Sequence, residues 1–275
     1  MLLGANTLCA INMQGRHKNR TLYFRELAQT SRKYFIPYIG QFKRLSQDCR
    51  ILEIGCGDGG NLLPFAKMGC YTLGVDIDEG RIADARKFFT NCNTKGDFIA
   101  SDVFLLKELH GSFDVIICHD VIEHISDKRG FLSLLPQFLT KDGIVFMSFP
   151  AWQMPFGGHQ QICRSKVISH LPFVHLLPKA IYHLLLITFR EDDSCVKELM
   201  SIKETRTTIE LFERVLKNIG TFDIIDRTLW LINPHYETKF RLHPRQLSRC
   251  LGAIPNIRNF FTTSCFYVLT KCTKQ

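Results

Sequence analysis

The chain has 275 residues, 45% of them hydrophobic and 22% charged, which suits one large soluble domain or a domain with an embedded lid. Its formal charge of +9 favours acidic partners: a phosphorylated substrate, an anionic membrane surface or nucleic acid. The basic residues are scattered, with no Lys/Arg-rich run or aromatic–basic ladder, so nucleic acid is disfavoured. The eleven cysteines, odd in number and without a C-x-x-C pair, argue against a disulfide framework or zinc knuckle and for reduced thiols in a cytoplasmic protein.

Residues 1–14 have no basic region ahead of an apolar core and do not read as a secretion signal. Residues 1–20 are expected to fray, and Met13 offers an alternative start. Leu22, Phe24, Leu27, Tyr34, Phe35 and Tyr38 recur at helical spacing and predict leading helices over 21–46, interrupted at Pro37. Arg32, Lys33 and Tyr34 are the polar candidates there. The chain then predicts strand 51–55, helix 60–68, strand 71–76, helix 79–89, strands 97–101 and 113–118, helix 128–138 and strand 143–149. Such alternation with short links implies parallel pairing. After an intervening region come an amphipathic helix over 207–218 and two late strands, 222–232 and 264–270.

The most informative stretch is Ile51 to Gly60. An apolar run ends in an acid and a glycine-rich turn, followed by helical character. A buried parallel strand hands over to a helix in this way when the backbone must pass close to a ligand. Asp76 ends the next strand, where a carboxylate can accept both hydroxyls of a ribose. Gly55, Gly57 and Gly60 satisfy the dinucleotide pattern G-x-G-x-x-G, which would make the protein an NAD-dependent oxidoreductase. Against that, Glu53 is poorly suited to an anionic pyrophosphate, some fifty residues precede the strand, and no clear catalytic Tyr–Lys pair is found.

Glu53 to Gly59 resembles motif I, E/D-x-G-x-G-x-G, of the class I S-adenosylmethionine-dependent methyltransferases, particularly their type 11/12-like members. Gly74 to Asp78 is similar to their second-strand acid and adenine contact, Ala100 to Val103 to their third-strand acid, Phe113 to Ile125 to their fourth strand and the helix start after it, and Leu139 to Ser148 to their fifth strand. The resemblance covers about residues 50–150. It implies an α/β fold with a doubly wound, seven-stranded, mostly parallel sheet and a helical insert after strand five. The corresponding divisions are a tail and leading helices (1–46), a cofactor-binding core (47–150), an apolar insert or lid (151–205) and a C-terminal helix and strand hairpin (206–275). The implied cofactor is S-adenosyl-L-methionine. Glu53 would orient the glycine loop and the cationic amino end, with Gly55, Cys56 and Gly57 in the close-approach turn. Asp76 would hold the ribose, Ile77, Asp102 and Val103 the adenine, and Cys118 and His119 the methionine portion.

Asp120, Glu123 and His124 resemble the E-x-x-E-H pattern of metal-assisted O-methyltransferases. They share one face if the stretch is helical, and could serve as acid and base or, with His159, hold a divalent ion; the catalytic expectation is His124, His159 and Asp120. Asn233 to Glu237 could return over the pocket. Within the insert, Val167 to Phe189 is rich in Leu, Ile, Phe and His, but Pro172, Pro178 and three histidines interrupt it, so a membrane span is not expected. A lid of short helices, or peripheral membrane contact through 167–189, is. The combined expectation is a methyltransferase acting on oxygen of a small-molecule, quinone-like or glycan-like acceptor, cytoplasmic or membrane-associated. A non-catalytic methyltransferase-like module is the other alternative.

Overall fold

The computed structural model describes residues 19–272. The expected fraying of residues 1–20 and the Met13 start fall almost wholly outside them. Eight strands form one sheet: β1 (Arg50–Ile54), β2 (Tyr71–Asp76), β3 (Asp97–Ala100), β4 (Phe113–His119), β5 (Leu139–Phe149), β6 (Phe222–Ile232), β7 (Arg245–Gln246) and β8 (Ser264–Lys271). Their order is β3-β2-β1-β4-β5-β8-β6-β7. The first five pair in parallel, and β8 runs antiparallel between β5 and β6. The expected seven strands are all present; the eighth is the two-residue β7, on the edge of β6.

The central strands are buried on both faces, which explains their continuous apolar runs. Side chains alternate between faces. Leu52, Ile54, Ile116 and Cys118 enter one core, with α4 (Lys128–Phe138) and α7 (Ile209–Ile219) packed over it. Ile51, Val115, Ile117 and Phe146 enter the other, under α1 (Arg20–Thr30) and α3 (Glu79–Asn91). The helices begin where short polar side chains accept an amide: Asp78 from Arg81, Asp127 from Gly130 and Thr208 from Leu211.

Three expectations are corrected. The helix after the glycine turn, α2 (Leu63–Lys67), is shorter than 60–68: the turn runs on to Leu62, and Pro64, which has no N–H to donate, sits in the first helical turn. Pro37 does not interrupt the leading helix: α1 passes through a π-turn, Ser31–Phe35, into Ile36–Ile39, and the wider turn absorbs the missing N–H of proline. The fourth strand is not followed at once by a helix. Residues 120–126 form a turn, with Asp120 at φ 54°.

The insert folds as short helices, among them Lys166–His170, α5 (Lys179–Thr188) and α6 (Asp193–Thr205). Its small core joins Cys163, Ile168, Val174, Tyr182, Leu186, Val196 and Leu199. Among the described residues no helix is long and apolar enough to cross a membrane.

Candidate active site

The parallel strands end together, and the loops leaving them enclose two adjoining cavities. Gly55 and Gly57 adopt φ values of 69° and 51°. A Cβ on Gly55 would stand 2.5 Å from Val121 Cγ2. Only glycine combines that backbone conformation with that approach. The Gly57 amide donates to Asp76 Oδ2 at 2.8 Å, and the Asp78 amide to Asp76 Oδ1 at 2.9 Å. One carboxylate thus ties the tips of β1 and β2 together and keeps lone pairs for a ligand.

The first cavity, about 280 Å³, is lined by Gly55, Asp76, Ile77, Asp102, Val103 and Phe104, together with Arg81, Asp120, Val121 and His124. Ile77 is 80% exposed and supplies an apolar face for a planar ring. Asp102 accepts the Phe104 amide at 3.0 Å, which directs its carboxylate to the cavity edge. The second cavity, about 400 Å³, shares Arg81, Asp120 and His124 with the first. Its remaining wall includes His119 from β4, Tyr23 from α1, Met154, Phe156 and His159 from the insert, and Tyr236 from the short helix α8 (His235–Phe240). Burial, reinforced by the Asp120 charge, pushes the Tyr236 hydroxyl up to about 12 and raises Tyr23 as well.

The leading helix is clamped over this end of the sheet. Thr30 Oγ1 lies 3.0 Å from His235 Nδ1, and Lys33 and Tyr34 both donate to Glu237 Oε2 at 2.6 Å. Lys33 and Tyr34 therefore position α8 and do not face the cavity. Arg32 lines a separate surface depression. Asn233 to Glu237 does return over the pocket: Asn233, His235 and Tyr236 are all in its wall.

The rings of His124 and His159 meet edge to face, 5.2 Å between centroids. Ligand atoms of Glu123, His124 and His159 lie within 4.8 Å of one another. Glu123 is buried and neither of its carboxylate oxygens has a hydrogen-bond partner. Burial pushes its pKa well up, and the Asp120 charge adds to this. Surrounding protein holds the His124 pKa below its ordinary value, although the residue reaches solvent at the cavity mouth. Asp120 stands apart from this trio, with Oδ2 3.6 Å from His119 Nε2. The turn at 120–126 gathers Glu123 and His124 without the single helical face expected for all three.

Not every expected residue reaches a cavity. Cys118 is fully buried in the core on the α4 side, because its neighbour His119 takes the other face. Cys56 is buried beneath the glycine turn, its Sγ near Gly74. Glu53 is also buried: Oε1 accepts from Asn61 at 2.8 Å, Oε2 has no partner, and burial raises its pKa to about 8. Gly60, third glycine of the dinucleotide pattern, packs against Phe24 and Leu27 of α1. The residues that sequence reasoning missed are Arg81, Asp58, Tyr23 and Phe104. Asp58 lines the second cavity and has a buried, unpartnered Oδ1. Its place inside the glycine motif was the available signal.

Residues 52–147 match the family described as a methyltransferase domain. The segment is a methyltransferase domain of the S-adenosylmethionine-dependent class. The domain is 28% identical over 123 residues to a ubiquinone biosynthesis O-methyltransferase of Bartonella quintana, covering 43% of this chain and 50% of that protein. It is 33% identical over 99 residues to the enzyme of the same name from Sinorhizobium medicae, covering 36% and 40%. The matches thus span half or less of those relatives. Among solved structures, the magnesium protoporphyrin IX methyltransferase of Synechocystis PCC 6803, solved with bound SAH, shares the fold. Its TM-score is 0.53 at 16% identity, over 90% of this chain and 84% of that one.

Proposed function

We propose that this chain transfers the methyl group of S-adenosylmethionine to a hydroxyl oxygen of a small, ring-bearing acceptor. The observation that carries the reading is the pair of adjoining cavities that share Arg81, Asp120 and His124. The first suits an adenosine, with Asp76 on the ribose and Ile77, Asp102 and Val103 on the adenine. The methionine portion enters the shared end, where Arg20 and Arg81 suit its carboxylate and Asp58 its ammonium. The second cavity, walled by Met154, Phe156, Tyr23 and Tyr236, receives the acceptor. A quinone-like hydroxylated ring suits these walls, and the similarity to ubiquinone biosynthesis O-methyltransferases points the same way.

The sulfonium methyl is already activated, so the chain's task is alignment, water exclusion and removal of one proton. Alignment of two reactants contributes about 7–11 kcal/mol in favourable cases. The acceptor oxygen attacks the methyl carbon, the carbon–sulfur bond breaks, and S-adenosylhomocysteine leaves as a neutral thioether. The hydroxyl proton passes to an imidazole of the His124–His159 pair. An acceptor screen read by mass shift, using hydroxylated aromatics, sugars and lipid-linked intermediates, tests this. A gain of one methyl on a ring hydroxyl supports it, and methylation on nitrogen or carbon alone contradicts it.

The unpartnered Glu123 carboxylate favours a second reading of the same site, in which Glu123, His124 and His159 hold a divalent cation that polarises the acceptor hydroxyl. Turnover abolished by a chelator and restored by Mg²⁺ or Mn²⁺ supports it; indifference to chelator removes it. The outer face of the insert is proposed to rest on a membrane surface. Val167, Leu171, Ile181, Leu184, Ile187 and Phe189 are all exposed there, beside cationic Lys166, Lys179 and Arg190, as suits interfacial binding.

A further inference from the structure

A second group of metal-ligating side chains lies inside the insert, away from both cavities. Sγ of Cys163, Sγ of Cys195 and a carboxylate oxygen of Glu191 all fall within 4.8 Å of one another. Cys163 follows a single helical turn, Gln160–Ile162, and Cys195 lies in the first turn of α6. Glu191 sits between α5 and α6 and is buried. Its carboxylate is held by two backbone amides, Arg164 N to Oε2 at 2.7 Å and Ser165 N to Oε1 at 2.9 Å. Each oxygen keeps a lone pair after accepting one such bond.

An independent feature lies in the same small core as Cys163. Tyr182 is completely buried in the insert core, yet its hydroxyl has no hydrogen-bond partner. That hydroxyl is close enough to Cys163, Cys195 and Glu191 for charge on any of them to raise its pKa, in addition to the larger effect of burial. A buried hydroxyl left without a partner is destabilising.

We propose that Cys163, Cys195 and Glu191 bind a single Zn²⁺ ion, with the Tyr182 hydroxyl as the fourth group of a tetrahedral site. Two thiolates select a borderline-soft ion over Mg²⁺ or Ca²⁺, and closed four-group sites of this kind are structural. Two thiol protons leave to solvent as the ion enters. The site's position gives it a task. Ile162, next to Cys163, and Glu198, one turn beyond Cys195, both line the second cavity. The ion staples together two separate segments of that cavity's wall. The proposal stands independently of the methyl-transfer reading.

The test is titration of the chelator-treated full chain with Co²⁺, a spectroscopic substitute for Zn²⁺. The expected result is one Co²⁺ per chain, with tetrahedral ligand-field bands and an intense thiolate-to-cobalt charge-transfer band, all displaced by Zn²⁺. Cys195→Ala, at the more exposed ligand, and Cys163→Ser each lower the charge-transfer intensity at least about twofold, because one of two thiolates is gone, and Glu191→Gln weakens binding at least about tenfold, no less than the loss of an outer-shell partner does. His159→Ala and Cys49→Ser leave the band intact, which separates this site from the active-site cluster and from other thiols. Absence of the band, its undiminished intensity in Cys195→Ala, or a Cys163–Cys195 disulfide in the freshly isolated protein overturns the proposal.

Discussion

The Gly57 amide and the Asp76 carboxylate meet at 2.8 Å, so the residue assigned to the ribose also fixes the loop beneath it. Asp76→Ala removes both functions. It is expected to weaken S-adenosylhomocysteine binding by about 10–100-fold or more, since hydrogen bonds to a charged group contribute about 1.5–3 kcal/mol each. Asp76→Asn, whose amide oxygen can still accept from Gly57, should lose less. Calorimetry with the two variants checks the order, and unchanged affinity in Asp76→Ala contradicts the ribose assignment.

Gly55 tests the close approach. Alanine there meets a left-handed backbone, costing about 1–2 kcal/mol, and a Cβ 2.5 Å from Val121 Cγ2, where overpacking adds about 1–3 kcal/mol. Gly55→Ala should lower the unfolding midpoint and weaken cofactor binding together. Val121→Ala in the same chain should restore part of the stability by removing the clash. A double-mutant cycle without coupling would refute the contact.

The histidine pair separates chemistry from binding. His124→Gln and His159→Gln are expected to lower turnover by roughly 10²–10⁴, the range for a positioned base, while S-adenosylhomocysteine affinity changes little. Desolvation by the surrounding protein lowers the His124 pKa, so its neutral, proton-accepting form persists below the ordinary value of 6.5. The acid limb of the rate profile should therefore lie below pH 6.5 and disappear in His124→Gln. A limb above 6.5 in the parent chain contradicts this role.

His175 predicts acid sensitivity of the insert. The ring is fully buried, with Nε2 2.8 Å from the Trp152 carbonyl and no partner for Nδ1. Burial pulls its pKa down to about 4 from 6.5. A histidine lowered on folding stabilises the fold above its unfolded pKa and loses that contribution as pH falls. The loss should run from pH 6.5 through about 4 and reach about 3 kcal/mol at its acid limit. Urea unfolding at several pH values measures it, and His175→Leu should flatten this slope while lowering stability near neutrality.

The insert's outer face makes a separate prediction. Ile181 and Leu184 are 51% and 65% exposed on α5. Anionic liposomes should carry the parent chain upward on flotation, and the pair Ile181→Glu with Leu184→Glu should stay in the dense fraction. Equal flotation of both proteins contradicts membrane contact through this surface.

Much of the sheet was legible because its signals are local. The apolar runs of β1, β2 and β4 end at Glu53, Asp76 and His119, and Asp127 and Thr208 mark helix starts through their own side chains. What was not legible depends on three-dimensional packing. Cys118 and His119 are adjacent in sequence but face opposite sides of a strand, and the order of residues does not say which side holds the ligand. The turn at 120–126 replaces a helix because Asp120 takes a left-handed conformation, which no proline or glycine announces. Arg81 and Tyr23 reach the cavities from helices that read as ordinary amphipathic surface. The Cys163–Glu191–Cys195 cluster escaped because its members lie up to thirty-two residues apart and meet only when the insert closes on itself.

A crystal soaked with S-adenosylhomocysteine tests the central claim most directly. Adenosine should lie in the cavity beside Ile77, its ribose hydroxyls on Asp76, and the ligand's sulfur should be directed toward the His124–His159 pair. Ligand density elsewhere, or no density at saturating concentration with this crevice closed by protein, would contradict it.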